Sequence, residues 1–212
     1  MTKKLKDTLQ SISINYDPFR IKERESKSGK PVGRSLVLEN LIKENNLKTG
    51  AELGVRAGEN YYYLLAHCPD LELLGVDLFQ IQPEGAGEGH RRKTFEKPEH
   101  GFSYDFESYY KFIQELQKEF GPRAKFIRDW TTEAVKQVPD NSLDFIFLDA
   151  DHAYKTVVRD IKDWNPKVKK GGYITGHDWY QSPVKKAVTD VLWREDIQIK
   201  QDNVWIYRKK ND

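Results

Sequence analysis

Residues 51–60 read AELGVRAGEN, and the next apolar run, LELLGVD, ends at Asp77. Glycines at 54 and 58 fall where a short buried strand would hand over to a helix. Gly54 can take a backbone conformation closed to other residues, and Gly58 would let a ligand press against the chain. A helix opening at Glu59 would turn its free N–H groups and positive dipole end toward a negative group, a phosphate or a carboxylate. The spacing G-x-x-x-G is not the dinucleotide pattern G-x-G-x-x-G, and the Gly-Lys-Ser/Thr ending of a phosphate loop is missing. A nucleoside bearing an amino-acid tail therefore fits better than a dinucleotide or a triphosphate. Taken singly, the glycine pair fits a plain strand-to-helix turn equally well, and Asp77 fits a helix cap or a solvated strand end. Together they have the parts of a nucleoside-cofactor site, with the acid at the spacing that grips a ribose.

A second block, residues 141–180, reads NSLDFIFLDADHAYKTVVRDIKDWNPKVKKGGYITGHDWY. Phe145 to Leu148 is a continuous apolar run suited to a strand covered on both faces. It delivers Asp149, Asp151 and His152 at its carboxyl end, the edge at which open parallel sheets bind ligands. After a helix ending near Pro166, Gly171-Gly172 is expected to turn the chain into the strand Tyr173-Ile174-Thr175, which delivers His177 and Asp178 to the same edge. The chain has five histidines, and two of them in one cluster with three carboxylates point to a functional edge. Asp149 alone would serve as a structural cap.

In order and spacing, AELGVRAGEN, GVDLF, LDADHAY and GGYITGHDW resemble the class I S-adenosylmethionine-dependent methyltransferases. The nearest likeness is to small O-methyltransferases of the macrocin, caffeoyl-CoA and catechol kind, over about residues 35 to 208. The resemblance implies an α/β fold, a single Rossmann-like doubly wound sheet of about seven strands, mostly parallel with a C-terminal antiparallel hairpin. It implies S-adenosylmethionine as cofactor, with Glu52, Gly54, Arg56 and Gly58 in the cofactor loop. Asn60 would bind the methionine carboxylate, Asp77 both ribose hydroxyls with Leu78 beside it, and Asp129 and Trp130 the adenine. Asp149 matches the residue that contacts the cofactor's amino group and, in metal-dependent members, a divalent cation. His177 and Asp178 match the pair supplying the other metal ligands, usually Asp-Asp or Asp-Asn. A His-Asp pair suits manganese or zinc better than magnesium, which prefers oxygen.

Methyl transfer from a sulfonium needs an acceptor held in line and relieved of its proton. His152 is the first base candidate, since an unperturbed imidazole titrates near operating pH, and His177 the second; each has a structural reading as a hydrogen-bonded histidine. With Asp149 these make the catalytic set. A cation on Asp149, His177 and Asp178 would polarise the acceptor oxygen instead. The expected acceptor is a hydroxyl of a small molecule or saccharide. Two rivals are a cofactor-binding regulatory subunit that no longer catalyses and a nucleic-acid methyltransferase using the basic N-terminal arm. The chain lacks the Asn/Asp-Pro-Pro-Tyr/Phe signature of amino-methylating nucleic-acid enzymes, and a nicotinamide dehydrogenase is disfavoured by the glycine spacing.

Composition agrees. The 212 residues fit one domain, and a net charge of +2 gives no global attraction to nucleic acid. A single cysteine, Cys68, excludes an internal disulfide and fits a reducing cytoplasm. No apolar stretch is long enough to span a membrane, and the polar start lacks the run of a signal peptide.

Residues 1–34 read as an arm or short helix, a candidate for a homodimer contact, and 35–212 as the methyltransferase domain. A helix is expected from Ser35 to Asn46. Aromatic stripes at Tyr109 to Phe120 and Tyr154 to Trp164 read as core-facing helices. Ser182-Pro183 opens a helix to about Trp193, and Ile197–Lys200 with Val204–Arg208 form a hairpin. The aperiodic segment at about 80–104 is expected to be a lid, with His90, Arg91, Arg92 and Lys93 as a site for an anionic group or simply a solvated charge run.

Overall fold

The computed structural model describes residues 33–80 and 106–210. Seven strands form one sheet in the order β3-β2-β1-β4-β5-β7-β6. They are β1 (Thr49–Leu53), β2 (Glu72–Val76), β3 (Ala124–Ile127), β4 (Leu143–Leu148), β5 (Val168–Gly176), β6 (Ile197–Ile199) and β7 (Trp205–Arg208). The first five run parallel, while β7 pairs antiparallel with both β5 and β6. Strand order reverses between β1 and β4, so the crevice for a ligand opens above their carboxyl ends.

Side-chain alternation on β4 explains why it is buried on both faces. Phe145 and Phe147 pack under helices α1 (Arg34–Glu44), α2 (Glu59–His67) and α3 (Phe106–Phe120), beside Leu38, Tyr61 and Phe112. Ile146 and Leu148 face the opposite layer, α5 (Tyr154–Trp164) and α6 (Ser182–Val191), beside Ile161, Trp164 and Val188. A short helix, α4 (Thr131–Ala134), follows β3. Trp164 is fully buried, and truncating such an anchor to alanine costs about 3–5 kcal/mol.

The expected doubly wound sheet and its closing hairpin are present, with local differences. Gly171-Gly172 lies inside β5 rather than before it, because the pairing of β4 with β5 shifts register between Leu143 and Phe145. A Cβ on Gly172 would meet the Asp144 carbonyl oxygen at 2.6 Å, so glycine is required where the strands close up. The first helix begins at Arg34, within the stretch read as an arm. The rest of that arm, the greater part of the 80–104 segment and the His90–Lys93 cluster lie outside the described residues. Among those described, no helix is long and apolar enough to cross a membrane.

Candidate functional site

A cavity of about 510 Å³ opens over the carboxyl ends of β1, β2, β4 and β5, a volume ordinary for small-molecule sites. Eight carboxylates line it against three arginines and two histidines, so it favours a ligand with cationic groups.

One end is organised by the turn after β1. Gly54 has φ 90°, and a Cβ there would meet the Asp149 carbonyl oxygen at 2.4 Å. The turn thus lies directly against the end of β4. Gly58 has φ 81° and forms the N-cap of α2. The space beside it is filled by Ile113 and Phe112 of α3, which a Cβ on Gly58 would meet at 2.9 and 3.1 Å. Core packing and the left-handed turn, rather than ligand approach, account for this glycine. Asp77 braces the turn, its two oxygens accepting the backbone N–H of Arg56 at 2.7 Å and of Phe79 at 2.8 Å. Each oxygen keeps a lone pair for a further donor. Burial raises the Asp77 pKa against the pull of those two N–H groups. Leu78 also lines the cavity.

Glu52, 2% exposed, is pushed up to about 8 by burial, with Asn60 and Arg34 working against the shift. Its Oε2 and both polar atoms of the Asn60 side chain are buried without a well-formed hydrogen bond, although Asn60 lies near enough to Glu52 to favour its charged form. Each such group costs about 1–3 kcal/mol. Both residues line the cavity, so a ligand's ammonium or carboxylate can relieve that cost. At the β3 end, Trp130 leaves 37% of its surface exposed, and the Asp129 carboxylate accepts the Trp130 N–H at 2.8 Å.

The other end gathers charges from β4, β5 and beyond. His152 Nε2 lies against the Asp178 carboxylate. His177 Nδ1 lies 3.5 Å from Asp178 and 3.8 Å from Asp149, and its Nε2 lies 3.7 Å from Asp202. Burial opposes a charged imidazole, but Asp178, Asp202 and Asp149 outweigh it and raise His177 to about 9. Asp178 is penalised by burial yet held well below the carboxylate range by His152 and His177. It also adopts φ 58°, uncommon for a non-glycine residue and a form of strain that clusters at functional sites. Burial raises Asp149, against the attraction of Arg34 and His177.

The expected metal set was Asp149, His177 and Asp178. The structure instead converges Asp149, His152 and Asp178, whose ligand atoms lie within 4.8 Å of one another. His177 Nδ1 stays beside the Asp149 and Asp178 carboxylates, while its Nε2 faces Asp202 on the turn between β6 and β7. Asp151 lines the cavity, but its carboxylate accepts the Ala153 N–H at 2.9 Å and the Thr156 hydroxyl at 3.2 Å, which fixes the start of α5.

Two members were not foreseen, Arg34 and Asp202. Arg34 pairs through its guanidinium with Asp149, and its backbone N–H donates to Asp202 at 2.9 Å. Burial opposes the Arg34 charge, but Asp149 and Asp202 outweigh it and hold it firmly cationic. Nothing in local periodicity marks a residue 115 positions from its partner.

Residues 51–179 match a family model described as a methyltransferase domain. Among curated proteins, the uncharacterised protein R132 of Acanthamoeba polyphaga mimivirus is 26% identical over 165 residues, 73% of this chain and 66% of that protein. The uncharacterised protein y4gI of Sinorhizobium fredii is 28% identical over 85 residues, 40% of this chain. The chain thus spans 9% of the length of y4gI and 66% of that of R132. Among solved structures, the O-methyltransferase NovP superposes with a TM-score of 0.63 at 16% identity, covering 98% of each chain. The adenosylhomocysteine-bound Podospora anserina methyltransferase PaMTH1 gives 0.57 at 13%, covering 99% of this chain and 89% of that one. CalS11, a TDP-rhamnose 3'-O-methyltransferase, gives 0.56 at 12%, covering 98% and 95%. At such identities it is the fold that is shared.

Proposed function

The chain belongs to the methyltransferase domain family, and from that premise we propose that it transfers a methyl group from S-adenosylmethionine to a hydroxyl oxygen of a small molecule or saccharide. The observation that carries this reading is the buried, unpartnered Glu52–Asn60 pair in a cavity that also takes in Asp77 and His152. Its orphaned acceptor and amide suit the ammonium and carboxylate of an amino-acid tail. The free lone pairs of Asp77 suit ribose hydroxyls, and the exposed Trp130 ring suits a base. Small-molecule and saccharide acceptors are supported by the names of neighbours such as CalS11.

When bound, the cofactor supplies a methyl group already activated on sulfur. The chain's own work is to hold the acceptor in line and take its proton. His152 suits this, since Asp178 engages Nε2 and leaves Nδ1 to accept the hydroxyl proton. Asp178 then stabilises the imidazolium. His177, raised to about 9, is a cation at neutral pH and serves as a donor rather than a base. Asp149, His152 and Asp178 as they stand do not fit a divalent ion, because Asp149 carries the Arg34 guanidinium and His152 is paired with Asp178. No step is assigned to a metal.

The test is calorimetry with adenosylhomocysteine, followed by turnover of S-adenosylmethionine with a panel of sugars, nucleotide sugars and catechols. Saturable binding and methylation of one acceptor class are expected. No binding would overturn the proposal, and binding without any turnover would favour a regulatory subunit.

A further inference from the structure

We propose that Arg34 is the built-in cation of the acceptor site, occupying on Asp149 the locus that a divalent ion would need, so that the site works without metal. The inference rests on the methyl-transfer reading for its chemistry and on geometry for its evidence. Three donors, Asp149, His152 and Asp178, converge closely enough to hold an ion. An ion there would need the Asp149 carboxylate, which is engaged by the Arg34 guanidinium.

Arginine cannot yield the place by losing a proton, since its guanidinium stays charged throughout the working range. Its main chain is anchored as well. Arg34 is the first residue of α1, and its own backbone N–H is tied to Asp202 Oδ2 at 2.9 Å on the turn between β6 and β7. His177 lies 3.5–3.8 Å from Asp149, Asp178 and Asp202 and occupies the other side of those carboxylates with its two ring nitrogens. Three carboxylates therefore already face the Arg34 guanidinium and two imidazoles. A dication would enter against adjacent like charge. The guanidinium also lines the cavity with N–H donors beyond the one used on Asp149, so it can direct positive charge at an acceptor oxygen where a metal would otherwise do so. Arg34 is in this sense a positioning residue for the acceptor.

The experiment is a titration of the full chain with Mn²⁺, followed by loss of the free-ion electron paramagnetic resonance signal. The wild type is expected to show no saturable binding up to about millimolar Mn²⁺. Arg34→Gln is expected to bind one ion at least about a hundredfold more tightly, as removal of an adjacent unit charge requires. Arg34→Met, which keeps the packing of the side-chain stem, should behave the same way and covers a loss of folding in the first variant. Adding Asp149→Asn to either should abolish the gain. Saturable binding by the wild type that Asp149→Asn removes would overturn the proposal. So would failure of the wild type and of a folded Arg34 variant alike to bind, since the cluster would then reject metal for another reason. None of these readouts involves the cofactor, so a failure here is distinct from a failure to bind adenosylhomocysteine.

Discussion

At the end of the cavity proposed for the cofactor, the turn from Gly54 to Asn60 and its brace Asp77 come from one short span of chain, linked largely through backbone N–H groups. At the end proposed for the acceptor, Arg34 and Asp202 meet across 168 positions of sequence, and Asp149, His152, His177 and Asp178 contact one another through ionisable side chains. A half tied through backbone N–H groups depends on one brace, the Asp77 carboxylate. A half built from balanced charges changes with pH and with any single substitution.

The sharpest way to break the comparison is a pair of substitutions read in two assays. His152→Ala is expected to lower turnover about 10²–10⁴-fold, the span of a lost general base, while adenosylhomocysteine affinity stays within about threefold. Asp77→Ala should do the reverse in binding, weakening adenosylhomocysteine about a hundredfold through lost charge-assisted hydrogen bonds. If His152→Ala were to weaken binding as much as Asp77→Ala does, the two halves would not be separable.

The charge-built half should also betray itself in stability. His177 has a folded pKa of about 9, above the ordinary histidine value of 6.5. Its contribution is therefore fully present below about pH 6.5 and lost as pH rises through about 9. The shift corresponds to about 3 kcal/mol by linkage, and solvent and coupling reduce this to about 1–2 kcal/mol. Urea denaturation at pH 6 and pH 9.5 should show that loss in the wild type and a much smaller one in His177→Gln. An unchanged pH dependence in the variant would remove His177 from the charge network.

The same contrast decides what could be read from sequence. The strand Phe145–Leu148 declares itself because alternate residues feed two cores, and Gly54 because its backbone must pass the end of β4. Both signals are local. Arg34 sits at the edge of a basic stretch, and Asp202 lies in a Gln-Asp-Asn turn where Asp is expected for turn chemistry alone. Their roles arise only when α1 and the β6–β7 turn are brought over Asp149. Gly58 is legible as a glycine turn but not for its reason, which is the arrival of Phe112 and Ile113 from a later helix.

Trp130 offers the smallest and most discriminating test, because it lines the half proposed for the cofactor with an aromatic ring instead of a hydrogen-bonding group. Its ring is 37% exposed at the cavity rim and follows Asp129 at the end of β3. If the ring stacks on the cofactor's base, Trp130→Ala should weaken adenosylhomocysteine about tenfold, near the lower end of measured base–aromatic stacking. Trp130→Phe should recover most of that, since any aromatic face will stack. The cost to folding should stay within about 0.5 kcal/mol, as for other exposed positions. If packing alone explains the residue, the order inverts, with a clear drop in melting temperature and unchanged affinity. Calorimetry and thermal denaturation on the same two variants separate these outcomes, because stacking moves only the first and packing only the second.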